Sequence, residues 1–141
     1  MDKDQIFYAT AAFISDIHNL EQSLSTLVER DELTPLQHNL MRILYFSTPK
    51  TLSSLSECMN MNMPNTSREV KKLTQINLVH KSQGADDRRI VELSLTEEGK
   101  SKVEKSLEQM KNAFFKRKKE WSDEDQRKFL DSLTIVSEEL F

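Results

Sequence analysis

Two groups of basic residues between positions 63 and 95 have the types and spacing needed to contact a polyanion. One group lies in a helical pattern that begins at Pro64, and the other lies at a Gly-Ala-Asp-Asp turn between two apolar segments. The groups consist of Arg68, Lys71 and Lys72, and of Arg88 and Arg89. Lysine and arginine neutralise phosphates, and arginine also pairs bidentately with guanine. A helix followed by a hairpin with a basic tip is typical of a winged helix that binds duplex DNA.

The chain is acidic as a whole, but its charge is unevenly distributed. The 141 residues carry a formal net charge of −3. Residues 1–33 hold seven acidic and two basic residues, whereas residues 63–90 hold six basic and three acidic residues. Because a partner responds to the local field rather than to the sum of charges, the net charge does not exclude a nucleic acid as partner.

Helix starts and apolar spacing predict the elements that precede the basic segment. Thr34-Pro35 predicts a helix start, because threonine caps free N–H groups and proline fits the first helical position. The buried face of this helix is predicted at Leu36, Leu40, Ile43 and Leu44. Residues 47–50 indicate a turn, and residues 51–59 predict a helix of about two and a half turns.

The basic segment itself predicts one helix and a β-hairpin. The inward side of the helix is assigned to Thr66, Val70 and Leu73, and Asn77 is expected to end it in the left-handed conformation. The outward side is assigned to Arg68, Lys71, Lys72 and Gln75. The strands are predicted over 78–82 and 90–95. A charged hairpin tip also discourages edge-to-edge aggregation, which would explain its composition without DNA.

Long helices predicted at the two ends of the chain carry narrow apolar stripes with alternating spacings of four and three. The stripes are Phe13, Ile17, Leu20, Leu24 and Leu27; Val103, Leu107, Met110 and Phe114; and Phe129, Leu133, Val136 and Leu140. Apolar stripes of this kind pack one helix against another. Because the chain has too few other apolar surfaces to cover all of them, we expect a homodimer.

Composition argues against several other function classes. The chain has one cysteine, three widely spaced histidines and two glycines fifteen residues apart. We therefore predict no catalytic residues, no metal site and no cofactor, and a protein that is not an enzyme. No apolar stretch approaches the length of a membrane span, and no signal peptide is evident. We expect a cytoplasmic protein without a membrane partner.

Several segments resemble the MarR-type winged helix-turn-helix regulators. They are Leu33-Thr34-Pro35-Leu36-Gln37, Thr51-Leu52-Ser53-Ser54-Leu55, Ser67-Arg68 with Val70 and Leu73, and Asn77-Leu78-Val79. The most specific segment is Asp87-Arg88-Arg89 followed by Val91, Leu93, Leu95-Thr96 and Gly99, which is similar to the family's wing signature and the start of its fifth helix. Asn65, Asn77 and Lys81 depart from the threonine, glycine and arginine that are usual in the family.

The resemblance implies a fold and an assembly. The fold is mainly α with a small β-hairpin wing, a winged helix-turn-helix dimerised by its N- and C-terminal helices. Residues 1–141 would form one domain, with a DNA-binding lobe at 34–95 and dimerisation helices at 1–33 and 96–141. Two lobes related by a twofold axis reach successive major grooves about 34 Å apart. The implied function is that of a transcriptional repressor of a pseudo-palindromic operator, released by a small aromatic or anionic effector.

The resemblance also implies which residues touch the DNA. Base edges would be contacted from the start of the recognition helix by Asn65, Thr66, Ser67 and Arg68, and phosphates by Lys71 and Lys72. The wing would contribute Asp87, Arg88 and Arg89. Arg89 is expected to enter the minor groove, with Asp87 orienting it. Arg88 has a weaker claim, because adjacent strand positions face opposite ways.

Two further interpretations stay open from the sequence. The hairpin and basic helix could instead form a protein-interaction module that binds an acidic partner or another regulator. Cys58 could be an oxidation sensor, although no basic residue flanks it to favour the reactive thiolate. The basic run at 116–119 is most simply a solvated helix end favoured by the helix dipole.

Overall fold

A computed structural model describes residues 2–29, 31–47, 50–117 and 120–141. Within these ranges the chain forms six helices and three short strands. In order they are α1 (Lys3–Ser25), α2 (Pro35–Phe46), β1 (Lys50–Thr51), α3 (Leu52–Met59), α4 (Met63–Gln75), β2 (Val79–Gln83), β3 (Val91–Leu95), α5 (Glu97–Lys116) and α6 (Asp123–Leu140). This is the mainly α fold with a small β wing that the sequence predicts. Among the described residues, no helix is both long enough and apolar enough to span a membrane.

Side-chain caps start the helices where the sequence predicts them. The hydroxyl of Thr34 accepts a hydrogen bond from the backbone N–H of Gln37, whose side-chain oxygen accepts one from the N–H of Thr34. This reciprocal capping box holds the first turn of α2. The side-chain oxygens of Thr96 and Ser122 cap α5 and α6 by accepting the backbone N–H groups of Gly99 and Asp125. Asn77 has φ 59° and follows the end of α4 in the left-handed conformation, as predicted.

The wing belongs to a three-stranded antiparallel sheet with the strand order β1-β3-β2. The predicted hairpin pairs Val79 with Leu95 and Gln83 with Val91. The edge strand β1 is an addition, because Lys50 pairs with Leu93 where the sequence indicated only a turn. A strand of two residues shows no alternation, so the pattern had no means of revealing it. Thr48 and Pro49 of the predicted turn lie outside the described residues.

The core joins α2, α3, α4, the sheet and the first half of α5. Its fully buried side chains include Leu40, Met41, Leu44, Leu55, Val70, Leu73, Val79 and Leu93. One sequence prediction for α2 is wrong. Leu36 is 39% exposed, whereas Met41 is completely buried, because the inward stripe of α2 runs through Gln37, Leu40, Met41 and Leu44. The real stripe keeps Leu40 and Leu44 and is rotated slightly, so that Gln37 and Met41 point inward and Leu36 does not.

The terminal helices leave most of their apolar stripes uncovered within one chain. In α1, Leu24 is buried, but Phe13 and Ile17 are 41% and 45% exposed. Leu27, the last residue of the predicted stripe, lies beyond the end of α1 and is 63% exposed. Helix α6 has no buried residue, and its Phe129 and Leu133 are 39% and 45% exposed. The predicted helices are therefore present, and the surfaces predicted to pack against a second copy are open in the isolated chain.

Candidate nucleic-acid interface

Helix α4 has one face fixed in the core and one face open. Thr66, Val70 and Leu73 are buried at spacings of four and three, as the sequence predicts. The polar residues left exposed are Asn65, Arg68, Lys71, Lys72 and Gln75. Within the described part of the chain, no carboxylate lies within 4.0 Å of the basic groups of Arg68 or Lys71. Their charges are therefore available to a partner.

The start of α4 is a capped and exposed helix terminus. The side-chain oxygen of Asn62 accepts a hydrogen bond of 2.8 Å from the N–H of Asn65, and Pro64 occupies the first turn. Asn65 is exposed and Ser67 is half-buried. The side chain of Asn65 points away from the core at the end of the helix that carries partial positive charge. This terminus suits an anionic partner.

Thr66 has a structural role and is removed from the set of predicted contact residues. Its side chain is completely buried, and its hydroxyl donates a 2.9 Å hydrogen bond to the carbonyl oxygen of Asn62. A hydroxyl used inside the core cannot reach a base edge. The inward assignment of Thr66 from helical spacing is confirmed, and its assignment to the DNA surface is wrong.

Glu69 is a site residue that the sequence reasoning missed. Its carboxylate lies between Gln37 of α2, whose Nε2 donates a 3.0 Å hydrogen bond to it, and Lys72, whose Nζ lies 3.4 Å away. The Glu69 side chain is only 16% exposed. Because Gln37 and Glu69 are 32 positions apart, no local spacing rule relates them. The only sequence signal was the capping box that orients Gln37.

The wing tip is a tight, hydrogen-bonded turn. The N–H of Gly84 donates to the carbonyl of Ile90 at 2.7 Å, and the N–H of Ile90 donates to the carbonyl of Asp87 at 3.1 Å. A Cβ added at Gly84 would lie 2.8 Å from the Asp87 carbonyl oxygen, which is too close without a shift. Glycine is therefore required here by the close approach of two backbone segments.

Asp87 and Arg89 form a small clamp on this turn. Asp87 accepts hydrogen bonds from the Arg89 backbone N–H at 3.0 Å, from its Nε at 3.2 Å and from its Nη2 at 3.1 Å. The Arg89 side chain lies beside Asp87 and is still 90% exposed. Hydrogen bonds from the Arg89 side chain and then from its backbone lower the pKa of Asp87 below its ordinary value of 3.8. The clamp is thus ionised near neutral pH, as the proposed orienting role of Asp87 needs. Arg88 is exposed beside it.

No set of three or more His, Cys, Asp or Glu side chains within the described ranges is placed to hold a metal ion. Cys58 is exposed and free on α3. Lys118 and Lys119 of the basic run at 116–119 lie outside the described residues.

Comparison with known proteins identifies the segment that contains this surface. A model described as MarR family matches residues 33–91. The HTH-type transcriptional regulator YhbI of Bacillus subtilis (strain 168), which is uncharacterised, is 33% identical over 86 residues. That match covers 61% of this chain and 56% of YhbI, so it spans little more than half of the relative's length. These matches to regulators accord with the prediction that the chain is not an enzyme.

Solved structures share the fold along the whole chain. A MarR family protein from Bacillus stearothermophilus has a TM-score of 0.80 and 20% identity, over 99% of this chain and 98% of that one. A mutant of S. aureus MepR bound to an oligodeoxyribonucleotide has a TM-score of 0.62 and 19% identity, over 94% and 98%. MepR bound to ethidium bromide has a TM-score of 0.65 and 18% identity, over 100% and 98%. Residues 33–91 therefore belong to the MarR family, on a chain that has the winged-helix fold of MarR family proteins along its whole length.

Proposed function

We propose that the protein is a dimeric, sequence-specific DNA-binding regulator in the cytoplasm that represses transcription by occluding a pseudo-palindromic operator. The observation that carries this proposal is the exposed basic face of α4 together with the exposed, clamped arginine of the wing. Arg68, Lys71, Arg88 and Arg89 are solvent-exposed, while the opposite face of α4 is buried in the core. A positively charged helix with a basic hairpin beside it matches the two grooves of duplex DNA.

The exposed residues divide into two roles. Asn65, Ser67 and Arg68 lie near the start of α4, so we assign them to base edges in the major groove. Lys71 and Lys72 lie further along, and we assign them to phosphates, which supply affinity but little sequence preference. Arg89 is assigned to the minor groove, and the side chain of Arg88 at the same tip is assigned to the sugar-phosphate backbone of the DNA.

The open apolar stripes on the terminal helices support the dimer. A single chain leaves Phe13, Ile17, Phe129 and Leu133 exposed, and an apolar surface of this kind is stable in water when another chain covers it. We assign residues 1–33 and 96–141 to dimerisation and residues 34–95 to the DNA-binding lobe of a single MarR-like domain. A twofold axis between the copies would repeat the basic surface on one side of the duplex.

The proposal includes release by a small effector. S. aureus MepR has been solved with ethidium bromide, which shows that one protein of this fold binds an aromatic molecule. For this chain we propose a small aromatic or anionic effector between the dimer helices and the lobe. Such a ligand acts only if it binds better to a lobe spacing that does not fit DNA.

The direct test is binding of the unsubstituted protein and of Arg89→Ala to a duplex enriched from a random pool by the unsubstituted protein. Arg89→Ala should weaken binding by about 1 to 3 kcal/mol without changing the dimer. Arg127→Ala is the matched control, because it removes an exposed basic residue from the side of α6 opposite its apolar stripe. This variant should bind DNA as the unsubstituted protein does. Fluorescence anisotropy over a range of salt concentrations measures both, and affinity should fall steeply as salt increases.

Two results would contradict the proposal. If the protein enriches no duplex, it is not a sequence-specific DNA-binding protein. If Arg89→Ala binds as tightly as the unsubstituted protein, the basic hairpin does not serve DNA. The protein-interaction module that binds an acidic partner would then account better for the charge on α4 and the wing.

A further inference from the structure

The recognition helix α4 contains one acidic residue, and that residue lies on the margin of its basic face. Glu69 stands between Arg68 and the pair Lys71 and Lys72 in the sequence. A free carboxylate there would repel phosphates and reduce the attraction of the helix for DNA. The structure withdraws this carboxylate from solvent, since the Glu69 side chain is 16% exposed. The carboxylate is therefore mostly shielded from solvent beside α2.

The carboxylate is held by an amide whose orientation is itself fixed. Gln37 is 8% exposed and lies in the first turn of α2. Its side-chain oxygen accepts the N–H of Thr34 at 3.1 Å, so its Nε2 must face the other way. That nitrogen donates to Glu69 at 3.0 Å. The capping box of α2 thus directs a hydrogen-bond donor at the middle of α4.

The second oxygen of Glu69 faces the outside of the helix. It lies 3.4 Å from the Nζ of Lys72, three residues later on α4. Gln37 and Lys72 therefore contact opposite oxygens of one carboxylate. Hydrogen bonds to charged groups are directional and stronger than neutral ones, whereas the buried apolar side chains of α4 pack with less angular preference. This polar link is suited to setting the rotation of α4 about its own axis.

We propose that Glu69 is a specificity-determining positioning residue, which through Gln37 fixes the rotation of α4 and so the direction of Arg68 and Asn65. The inference rests on the proposed DNA-binding function and deepens it. A helix turned by a small angle still presents its positive charge to phosphates. It no longer aligns side chains with individual base edges, so discrimination between sequences falls before general affinity does.

The test compares two duplexes, one enriched from a random pool by the unsubstituted protein and one of the same composition with a scrambled sequence. The readout is the specificity ratio, which is the dissociation constant for the scrambled duplex divided by that for the enriched duplex. Both constants are measured below the melting transition of each variant. Glu69→Ala should reduce this ratio about tenfold, the size of effect that one misaligned base contact produces. Its affinity for the scrambled duplex should not fall, because a negative charge has been removed.

A swapped pair provides a control with unchanged composition. Gln37→Glu alone places two carboxylates against each other and should reduce the ratio at least as much as Glu69→Ala. Adding Glu69→Gln restores a donor and an acceptor in reversed roles, and glutamate at position 37 still completes the capping box. The double variant should recover the ratio to within about twofold of the unsubstituted protein. A role in stability alone would move the melting temperatures but leave every ratio unchanged.

The possible results separate this inference from the proposed function. If the unsubstituted protein enriches no duplex, the proposed function fails and the inference fails with it. If it enriches a duplex and folded Glu69→Ala keeps the full ratio, only the inference is overturned. If the swapped pair folds but does not recover the ratio, the hydrogen bond between Gln37 and Glu69 is not what positions α4. That result also overturns the inference.

Discussion

At the scale of single residues, the wing tip shows how an acidic side chain can support a basic surface. Asp87 lies beside Arg89 and takes three hydrogen bonds from it, two from the guanidinium. A flexible arginine on an exposed turn would lose considerable side-chain entropy on entering a narrow groove. The clamp restricts the Arg89 side chain before binding, so part of that cost is already met in the free protein.

This clamp can be tested with two substitutions that change the charge equally. Asp87→Asn removes the ionised partner of Arg89, and Asp86→Asn removes a neighbouring exposed acid that has no salt bridge to the described residues. Asp86→Asn should tighten DNA binding slightly, because a negative charge is lost. Asp87→Asn should bind roughly threefold to fivefold more weakly than Asp86→Asn, since it also frees Arg89. Equal anisotropy titrations for the two variants would show that the clamp has no part in binding.

A second acid ties the lobe to the long helix α5. Asp31 accepts the N–H of Leu33 at 2.9 Å, contacts Nε2 of His38 at 2.9 Å and lies 3.4 Å from Nζ of Lys102. Burial by itself would raise the pKa of Asp31, but the Leu33 hydrogen bond, His38 and Lys102 together lower it below 3.8. The ionised form is thus favoured more in the folded chain than in the unfolded one.

The pH dependence of stability follows from the sign of this shift. A lowered carboxylate pKa stabilises the fold above the ordinary value, and this stabilisation is lost as the pH falls below 3.8 through the folded value. Asp31→Asn should therefore reduce the free energy of unfolding by about 1 kcal/mol at pH 7, and the difference should shrink as the pH falls below 3.8. Urea titrations at several pH values measure the free energy of unfolding of each variant, and Asp131→Asn on α6 serves as the control. A difference that persists unchanged at low pH would contradict the electrostatic account.

The sequence allowed contacts between residues close along the chain to be predicted, but not contacts between residues far apart along it. Asp87 and Arg89 are two residues apart, so their pairing followed from the turn in which they lie. Gln37 and Glu69 are brought together only by the tertiary fold, 32 positions apart, and no spacing rule spans that separation. The assignment of Thr66 to DNA failed because a position at the start of a recognition helix was given more weight than its place in the buried stripe.

At the scale of elements, Gly99 sets the contact between α5 and the start of the wing. It lies in the first turn of α5 against the backbone of Leu78, whose carbonyl oxygen also accepts the N–H of Thr96. A Cβ added at Gly99 would collide with that carbonyl oxygen and lie 3.2 Å from the carbonyl carbon. The hydroxyl of Thr96 also donates to the Asn77 carbonyl at 2.7 Å. Helix α5 is therefore anchored at the point where α4 ends and the wing begins.

Gly99→Ala tests this packing, because close packing and helix propensity predict opposite changes in the free energy of unfolding. Alanine is favoured over glycine by about 1 kcal/mol inside a helix, so propensity alone predicts a more stable protein. We expect a net loss of about 1 to 3 kcal/mol, because the backbone of Leu78 or α5 must move. Lys100→Ala, the next residue on α5 and exposed, should change stability by less than about 0.5 kcal/mol. A Gly99→Ala protein with an unchanged or higher melting temperature would show that the contact is loose.

Elements with strong periodicity or caps could be predicted, and elements fixed by pairing could not. The caps at Thr34, Thr96 and Ser122 and the inward stripe of α4 all follow from local rules, and all are confirmed. The strand β1 exists because Lys50 finds a partner in Leu93, which is a tertiary event. The exchange of Leu36 for Met41 in the core reflects a small rotation of α2 that its own sequence left undetermined.

At the scale of the whole molecule, the open faces of α1 and α6 and the open face of α4 are related. The first two lack a covering surface in one chain, and the third carries Arg68 and Lys71, which have no carboxylate within 4.0 Å among the described residues. Pairing of two chains through the terminal helices would cover the apolar stripes and place two basic faces on one side. The stripes at spacings of four and three predict a dimer, whereas the angle between its lobes would depend on contacts between two chains that no local spacing rule describes.

The spacing of the two lobes is the most direct test of this account. The measurement is the affinity of the protein for its enriched duplex and for the same duplex with five base pairs inserted at the centre of the inverted repeat. Five base pairs rotate one half-site by about half a turn, so the second α4 would face away from its groove. We expect two chains per enriched duplex and a loss of affinity of about tenfold or more on insertion. An enriched sequence without a repeat, or equal affinity for both duplexes, would contradict it.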